Sequence, residues 1–145
     1  MSQVSGGKRS RDLVEHAVAL APLIASVAAE VEATGDLPPR LLSALHEARL
    51  FRLLLPRSVG GLQVMPDTFF EAIEVLARAD ASVAWCVGQG CGCSMAAAFL
   101  APDVAGRIFG HASAVMASGP TSHRGGAVKV DGGYRVTGHW SLASG

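Results

Sequence analysis

The sequence predicts an α+β chain in which an amino-terminal all-α helical bundle is followed by the start of an antiparallel β-domain. Apolar residues recur at helical spacing through residues 12–110, and from Ser113 onward they alternate with polar residues, which is typical of strands. The sequence Asp131-Gly132-Gly133 lies between two alternating runs and predicts a hairpin turn. We therefore expect a helical domain over residues 1–111 and the beginning of a β-domain over residues 112–145.

The first two predicted helices are joined at Gly35. The apolar stripe of the first helix consists of Leu13, Ala17, Leu20, Ile24, Val27 and Val31. Gly35 ends this helix, and we expect Asp36 to cap the second, whose first turn tolerates the Pro38-Pro39 pair. The buried face of the second helix is expected to consist of Leu41, Ala44, Leu45 and Ala48.

A turn and two further helices follow. Gly60-Gly61 predicts a turn, because glycine permits positive φ or a close backbone approach. Thr68 with Glu71 matches a capping box for the third helix, and Asp80 or Ser82 is expected to cap the fourth.

The fourth helix is expected to be the central helix of the bundle. Gly88 and Gly92 lie four residues apart, so we expect a neighbouring helix to approach that face closely. A fifth helix is expected from Pro102 to Gly110.

The hairpin is expected to follow these helices. Val128 and Val130 should share a face with Tyr134 and Val136. Since a two-stranded hairpin is marginally stable in isolation, we expect the sequence to be the amino-terminal part of a larger protein.

Composition limits the classes of partner. Twelve basic and twelve acidic residues give zero net charge, which does not favour nucleic acid or an anionic membrane. The apolar stretches 17–29 and 81–102 are interrupted by charges or rich in small residues, so we expect buried helices and no membrane association.

Two local motifs that could carry chemistry are incomplete. His46-Glu47 lacks the second histidine of a zinc-binding helix, so we expect His46 to be a surface residue. Gly88–Gly92 lacks the third glycine and the preceding strand of a dinucleotide fingerprint. The three cysteines, Cys86, Cys91 and Cys93, lack metal-ligand spacing, so we expect no metal site and a reduced, cytoplasmic protein.

Three segments together resemble the acyl-CoA dehydrogenase fold family. They are Arg49-Leu50-Phe51 with Leu55-Pro56 and Gly60-Gly61, then Glu71–Trp85, then Gly133–Gly138, and the resemblance extends over roughly residues 10–145. It implies a flavin cofactor, catalytic residues in a later helical bundle that is missing here, and a homotetramer.

The final segment is similar to the flavin-dependent monooxygenase branch of this superfamily, whose members read G-x-W-x-x-x-S-G. Leu142 occupies the position of a dehydrogenase tryptophan, and Ser144 that of a threonine facing the flavin edge. Ser118-Gly119-Pro120 occupies the position of a dehydrogenase Thr-Glu-Pro. The resemblance implies a monooxygenase that receives reduced FMN or FAD from a flavin reductase and hydroxylates a small aromatic or heterocyclic substrate.

The resemblance also implies which residues contact the flavin. They are Trp85, Ser118, Gly119, Leu142, Ala143 and Ser144. Small hydroxyls suit the polar rim of the ring, and Trp85 and Trp140 would offer aromatic walls. Two alternatives stay open: Trp85 packs in the helical core, and Trp140 packs at a strand end.

Two other functions also stay open. An acyl-CoA dehydrogenase would retain yellow FAD through purification, whereas a non-catalytic helical interaction module, or a gene remnant, would fold cooperatively without flavin. For the 145-residue chain alone we expect no activity and weak or absent flavin binding.

Overall fold

A computed structural model shows helices first and a two-stranded antiparallel sheet after them, which confirms the predicted fold class. The structure describes residues 4–116 and 125–140, with side chains from residue 11 onward. The helices are α1 (Val4–Thr34), α2 (Pro39–Glu47), α3 (Pro66–Ala79), α4 (Ala81–Ser94) and α5 (Pro102–Phe109), and the strands are β1 (Gly126–Val130) and β2 (Gly133–Thr137). Short 3-10 turns lie at Leu50–Arg52, Arg57–Val59 and Met95–Phe99.

The main core lies where α1 and α4 pack against α3. The α1 stripe is confirmed, since Leu13, Ala17, Ile24, Val27 and Val31 are buried. The same stripe belongs to Arg11–Thr34, the one segment among the described helices that is long and apolar enough to cross a membrane. Because that stripe packs against α3, we interpret α1 as a helix of the bundle.

The glycine predicted to end the first helix does so, but the predicted cap of the second is wrong. Gly35 adopts φ +74° directly after α1. The second helix begins only at Pro39, and its N-cap Pro38 makes no side-chain hydrogen bond. Asp36 lies too far before the first helical turn to reach its N–H groups.

Of the two caps predicted for α3 and α4, only the second is confirmed. Because α3 begins at Pro66, Thr68 is already inside its first turn, where its N–H donates to Asp67 Oδ1 over 2.7 Å. The predicted capping box is therefore absent. Asp80 caps α4, because its Oδ1 accepts a hydrogen bond from the N–H of Val83 at 2.9 Å.

Close packing on α4 occurs at a different glycine from the two predicted. A side chain at Gly92 would meet nothing within 4 Å, and one at Gly88 would meet only Ile73 Cδ1, at 3.9 Å. A Cβ atom at Gly90 would lie 2.9 Å from Val115 Cγ1 and 3.1 Å from Phe51 Cδ1. The tight contact is therefore made with loop residues.

The hairpin forms with a register that differs from the predicted one. Its loop contains two residues, with Gly132 at φ +77°, so that Val130 pairs with Gly133 and Val128 with Arg135. Directly paired residues share a face, which places Val128 and Val130 on one face and Tyr134 and Val136 on the other. A three-residue turn would have given the predicted face, and the shorter turn shifts every side chain of one strand.

We expect alanine substitutions at Gly90 and Gly92 to change stability in opposite directions. Gly92→Ala adds a helix-favouring side chain in open space and should stabilise the protein by up to about 1 kcal/mol. Gly90→Ala must displace Val115 or Phe51 and should destabilise it by about 1–3 kcal/mol. Urea unfolding of both variants measures the difference, and equal stabilisation by both would contradict the packing at Gly90.

Candidate functional site

Of the six residues implied to contact flavin, the structure describes only Trp85, and its contact with flavin stays a prediction. Trp85 lies on α4 with 60% of its surface exposed, so the alternative that it packs in the core is wrong. The remaining five, Ser118, Gly119, Leu142, Ala143 and Ser144, lie outside the described residues and stay predictions.

Trp85 lies between two cavities. The first, which we call the His46 cavity, has a volume of about 760 Å³ and is lined by residues of α1, α2, α4 and the loops beside them. Its lining includes His46, Phe51, Cys86, Ser113 and Val115, together with the carboxylates of Glu32 and Asp36. The second, the Phe69 cavity, has a volume of about 350 Å³ and is lined by residues of α3 and α4, including Phe69, Ile73, Gly88 and Gln89. The indole therefore contributes to the walls of both cavities.

A third cavity, of about 640 Å³, lies between α1 and the loop before α3 and does not include Trp85. Its lining carries Arg11, Glu15, Arg57, Asp67 and Glu71. A lining with this many charges of both signs is a poor match for a flat apolar ring.

His46, which the sequence predicts on the helix surface, is half-buried in the first cavity. Its ring centroid lies 5.0 Å from that of Phe51, with the two planes tilted by 39°. Burial, together with the nearby positive charge of Arg52, lowers the pKa of His46 below its ordinary value. The neutral imidazole is therefore favoured, and it can donate or accept one hydrogen bond toward the cavity.

Ser113 is a lining residue that sequence reasoning missed. Its hydroxyl lies 2.8 Å from His111 Nδ1, and both residues are exposed. Because the two residues lie in a loop with no motif, no sequence signal identified them. Their local hydrogen bond fixes a polar group beside the apolar wall of Phe51 and Val115.

The cysteines of α4 differ in environment. Cys91 is fully buried and donates its thiol to the carbonyl of Leu50 at 3.1 Å, and burial raises its pKa to about 11. Burial, followed by the charge of Asp80, also raises the pKa of Cys86. These thiols stay protonated near neutral pH, which makes them poor nucleophiles and poor metal ligands. Among the described residues, no three His, Cys, Asp or Glu side chains are grouped as a metal site.

The residues around Trp85 fit part of what a flavin requires. An isoalloxazine ring needs flat apolar walls and a few polar partners at its rim. Trp85, Phe51 and Val115 provide apolar surface, and Ser113 and Gln89 provide polar groups beside it. The residues expected at the rim, at positions 118–119 and 142–144, lie beyond the described parts of the chain.

Comparisons with known proteins identify the family of this chain. Residues 10–107 match the family model for the acyl-CoA dehydrogenase N-terminal domain. A flavin-dependent monooxygenase oxygenase subunit, HsaA, from Rhodococcus jostii is 33% identical over 128 residues, which cover 88% of this chain and 33% of that protein. An indole-3-acetate monooxygenase from Pseudomonas putida is 30% identical over 105 residues, covering 72% of this chain and 27% of that protein.

A solved structure shares the fold of nearly the whole chain. XiaF from Streptomyces, in complex with FADH2 and glycerol, superposes with a TM-score of 0.90 at 29% identity, covering 99% of this chain and 36% of that one. The chain therefore spans about a third of the length of the proteins that it matches.

We expect the environment of His46 to make stability pH-dependent. An unfolded histidine titrates near pH 6.5, and the folded pKa of His46 is lower, so the unfolded state gains its proton first as the pH falls. The stabilisation that His46 provides should be complete above about pH 6.5 and should be lost as the pH falls from there through the lower folded pKa.

The measurement is Tm between pH 7.5 and 5. We expect the drop in Tm over this range to be smaller in His46→Gln than in the unmodified protein. His16→Gln, at an exposed position on α1, is the matched control and should keep the full drop. An identical pH profile in His46→Gln would show that the folded and unfolded pKa values of His46 do not differ.

Proposed function

The chain belongs to the acyl-CoA dehydrogenase N-terminal domain family, and on this premise we propose that it forms the amino-terminal part of a flavin-dependent monooxygenase. The observation that carries the proposal is the exposed indole of Trp85 on α4, a helix on which Val83 and Val87 are buried. An exposed aromatic ring between two cavities is typical of a binding site in which a planar ligand stacks on the ring. The names of the matched relatives, which include monooxygenases and an oxygenase subunit, support the same function.

In this proposal the chain's own residues hold the ring and keep water away from it. Trp85 offers a flat surface, while Phe51 and Val115 provide the apolar lining beside it. Ser118 and Ser144, with Gly119, Leu142 and Ala143, would meet the polar rim through hydroxyl and backbone groups. When bound, a reduced flavin would supply the electrons that activate dioxygen for hydroxylation.

We propose a small aromatic or heterocyclic substrate. The P. putida relative is named for an indole acid, and the aromatic lining of the His46 cavity suits a planar substrate of this kind. Half-buried His46 could position a substrate hydroxyl or ring N–H through one hydrogen bond.

We also propose a separate flavin reductase as partner, supported by the oxygenase-subunit name of the R. jostii relative. Of the two flavins, FMN and FAD, we propose FAD, because the XiaF structure holds FADH2. We further propose a cytoplasmic protein, which the free thiols on α4 support. A homotetramer is proposed from the family resemblance alone.

The decisive experiment uses the protein encoded by the complete reading frame that contains these 145 residues. It is supplied with a flavin reductase, NADH, FMN or FAD, and phenolic or indolic probes under ¹⁸O₂. We expect one ¹⁸O atom in the product, formed only when reduced flavin is supplied. Retained yellow FAD that is bleached anaerobically by an acyl-CoA would support the dehydrogenase instead. A protein with no affinity for either flavin would support the interaction module.

We expect Trp85→Leu to weaken the binding of reduced flavin by that protein about tenfold, equivalent to about 1.4 kcal/mol, because leucine cannot stack on a ring. Phe99→Leu is the matched control, since Phe99 is 89% exposed at the end of the Met95–Phe99 turn and lies outside the lining of the cavities around Trp85. Anaerobic titration followed by fluorescence measures both dissociation constants. If both variants bind like the unmodified protein, Trp85 is not a wall of the flavin site.

A further inference from the structure

Arg52 is a buried cation whose hydrogen-bonding capacity is entirely used by the backbone. Only 5% of its surface is exposed, although it lies in an otherwise apolar run. A guanidinium carries five N–H groups, and here five carbonyl oxygens accept from them. The acceptors, with their distances, are Val59 at 2.9 Å, Gly60 at 3.2 Å, Phe109 at 2.9 Å, His111 at 2.9 Å and Ala112 at 3.3 Å.

No carboxylate pairs with this charge among the described residues, since the ion pairs there involve Arg40, Arg78 and Arg107. Burial, with a smaller effect from Arg49, lowers the pKa of Arg52, but a guanidinium remains protonated at neutral pH. Only a complete set of acceptors can offset the cost of removing such a group from water. A residue of this kind tolerates little displacement of the carbonyls around it.

The five acceptors belong to two segments that are distant in sequence. Val59 and Gly60 lie at the turn before α3, and residues 109–112 form the end of α5 and the loop that follows. Arg49, at φ +60°, adds a second guanidinium contact to the carbonyl of Gly60, at 2.7 Å. Arg52 therefore joins the loop after α5 to the turn before α3.

The loop held by Arg52 continues directly into the candidate site. Ser113 and Val115 follow the last acceptor and line the His46 cavity together with Trp85. Val115 also fills the space above Gly90 of α4, where a side chain would clash with it. The position of these two residues relative to Trp85 thus depends on where residues 109–112 are held.

We propose that Arg52 is a positioning residue of the candidate flavin site, which holds Ser113 and Val115 in the wall of the His46 cavity, with Val115 against Gly90 of α4. The effect on flavin binding rests on the proposed function, whereas the claim that Arg52 holds this loop concerns the chain alone. Lysine cannot replace arginine in this role, because one ammonium has three donors on a single atom and cannot reach two separated sets of carbonyls.

The first test measures amide hydrogen exchange in the 145-residue chain by NMR. The N–H groups of Gly110 and Ala114 are hydrogen-bonded within the held segment, to Gly106 and His111. In Arg52→Lys we expect these two amides to exchange at least tenfold faster, while the core amides of α1 and α3 change little. Arg78→Lys, at an exposed arginine paired with Glu74, is the matched control and should leave all of them unchanged. An equal acceleration throughout the chain, or none in the held segment, would overturn the proposal.

A second measurement applies if Arg52→Lys does not fold. In the unmodified chain, the side-chain N–H groups of Arg52 should exchange as slowly as the amides of Gly110 and Ala114, because one opening event releases them all. Much faster exchange of the guanidinium than of these amides would show that the segment is held without Arg52 and would overturn the proposal.

The link to flavin is tested in the protein from the complete reading frame. We expect Arg52→Lys to raise the dissociation constant for reduced flavin about tenfold and Arg78→Lys to leave it unchanged. Unchanged affinity in Arg52→Lys, with faster exchange in residues 109–116, would reject the positioning role while leaving the flavin site intact. If the unmodified protein does not bind flavin, the proposed function fails, and the exchange experiment still decides whether Arg52 holds the segment.

Discussion

The course of the chain beyond α5 depends on satisfying one buried guanidinium. Arg52 lies between Leu50 and Leu55 in a run of buried side chains, where an unpaired charge would cost several kcal/mol. Five backbone carbonyls remove that cost, and they must come from two loops at once. Because Ser113 and Val115 follow directly on the last of these carbonyls and line the cavity with Trp85, the electrostatic requirement of Arg52 bears on the lining of that cavity.

Local signals in the sequence predicted the helices well because their causes are local. Gly35 ends α1 because only the residue and its neighbours decide whether a left-handed conformation is acceptable, and Asp80 caps α4 through an N–H three residues away. The errors at Asp36 and Thr68 arose where prolines moved the true helix starts by a few residues. The hairpin was predicted, but its register depended on whether the turn held two residues or three.

The candidate site was less accessible to sequence reasoning because it is assembled from distant segments. The exposure of Trp85 could not be read from α4, whose small residues fit a core helix and a ligand-facing helix equally well. The environment of His46 depends on residues that follow its helix: the ring of Phe51 packs beside the imidazole, and the charge of Arg52 adds to burial in lowering its pKa. Arg52 carried one unused signal, a lone cation inside an apolar run. Three of its five acceptors are 57, 59 and 60 residues away, however, and no sequence pattern connects them to Arg52.

The two-residue turn of the hairpin has a wider consequence for how this ribbon can be buried. Its register divides the apolar side chains between the two faces, with Val128 and Val130 on one side and Tyr134 and Val136 on the other. All ten strand residues are exposed. If another element packed against only one face of the hairpin, the apolar side chains of the other face would remain exposed to solvent. Such a ribbon is suited to a sheet that is covered on both faces, rather than to one with a solvated outer face.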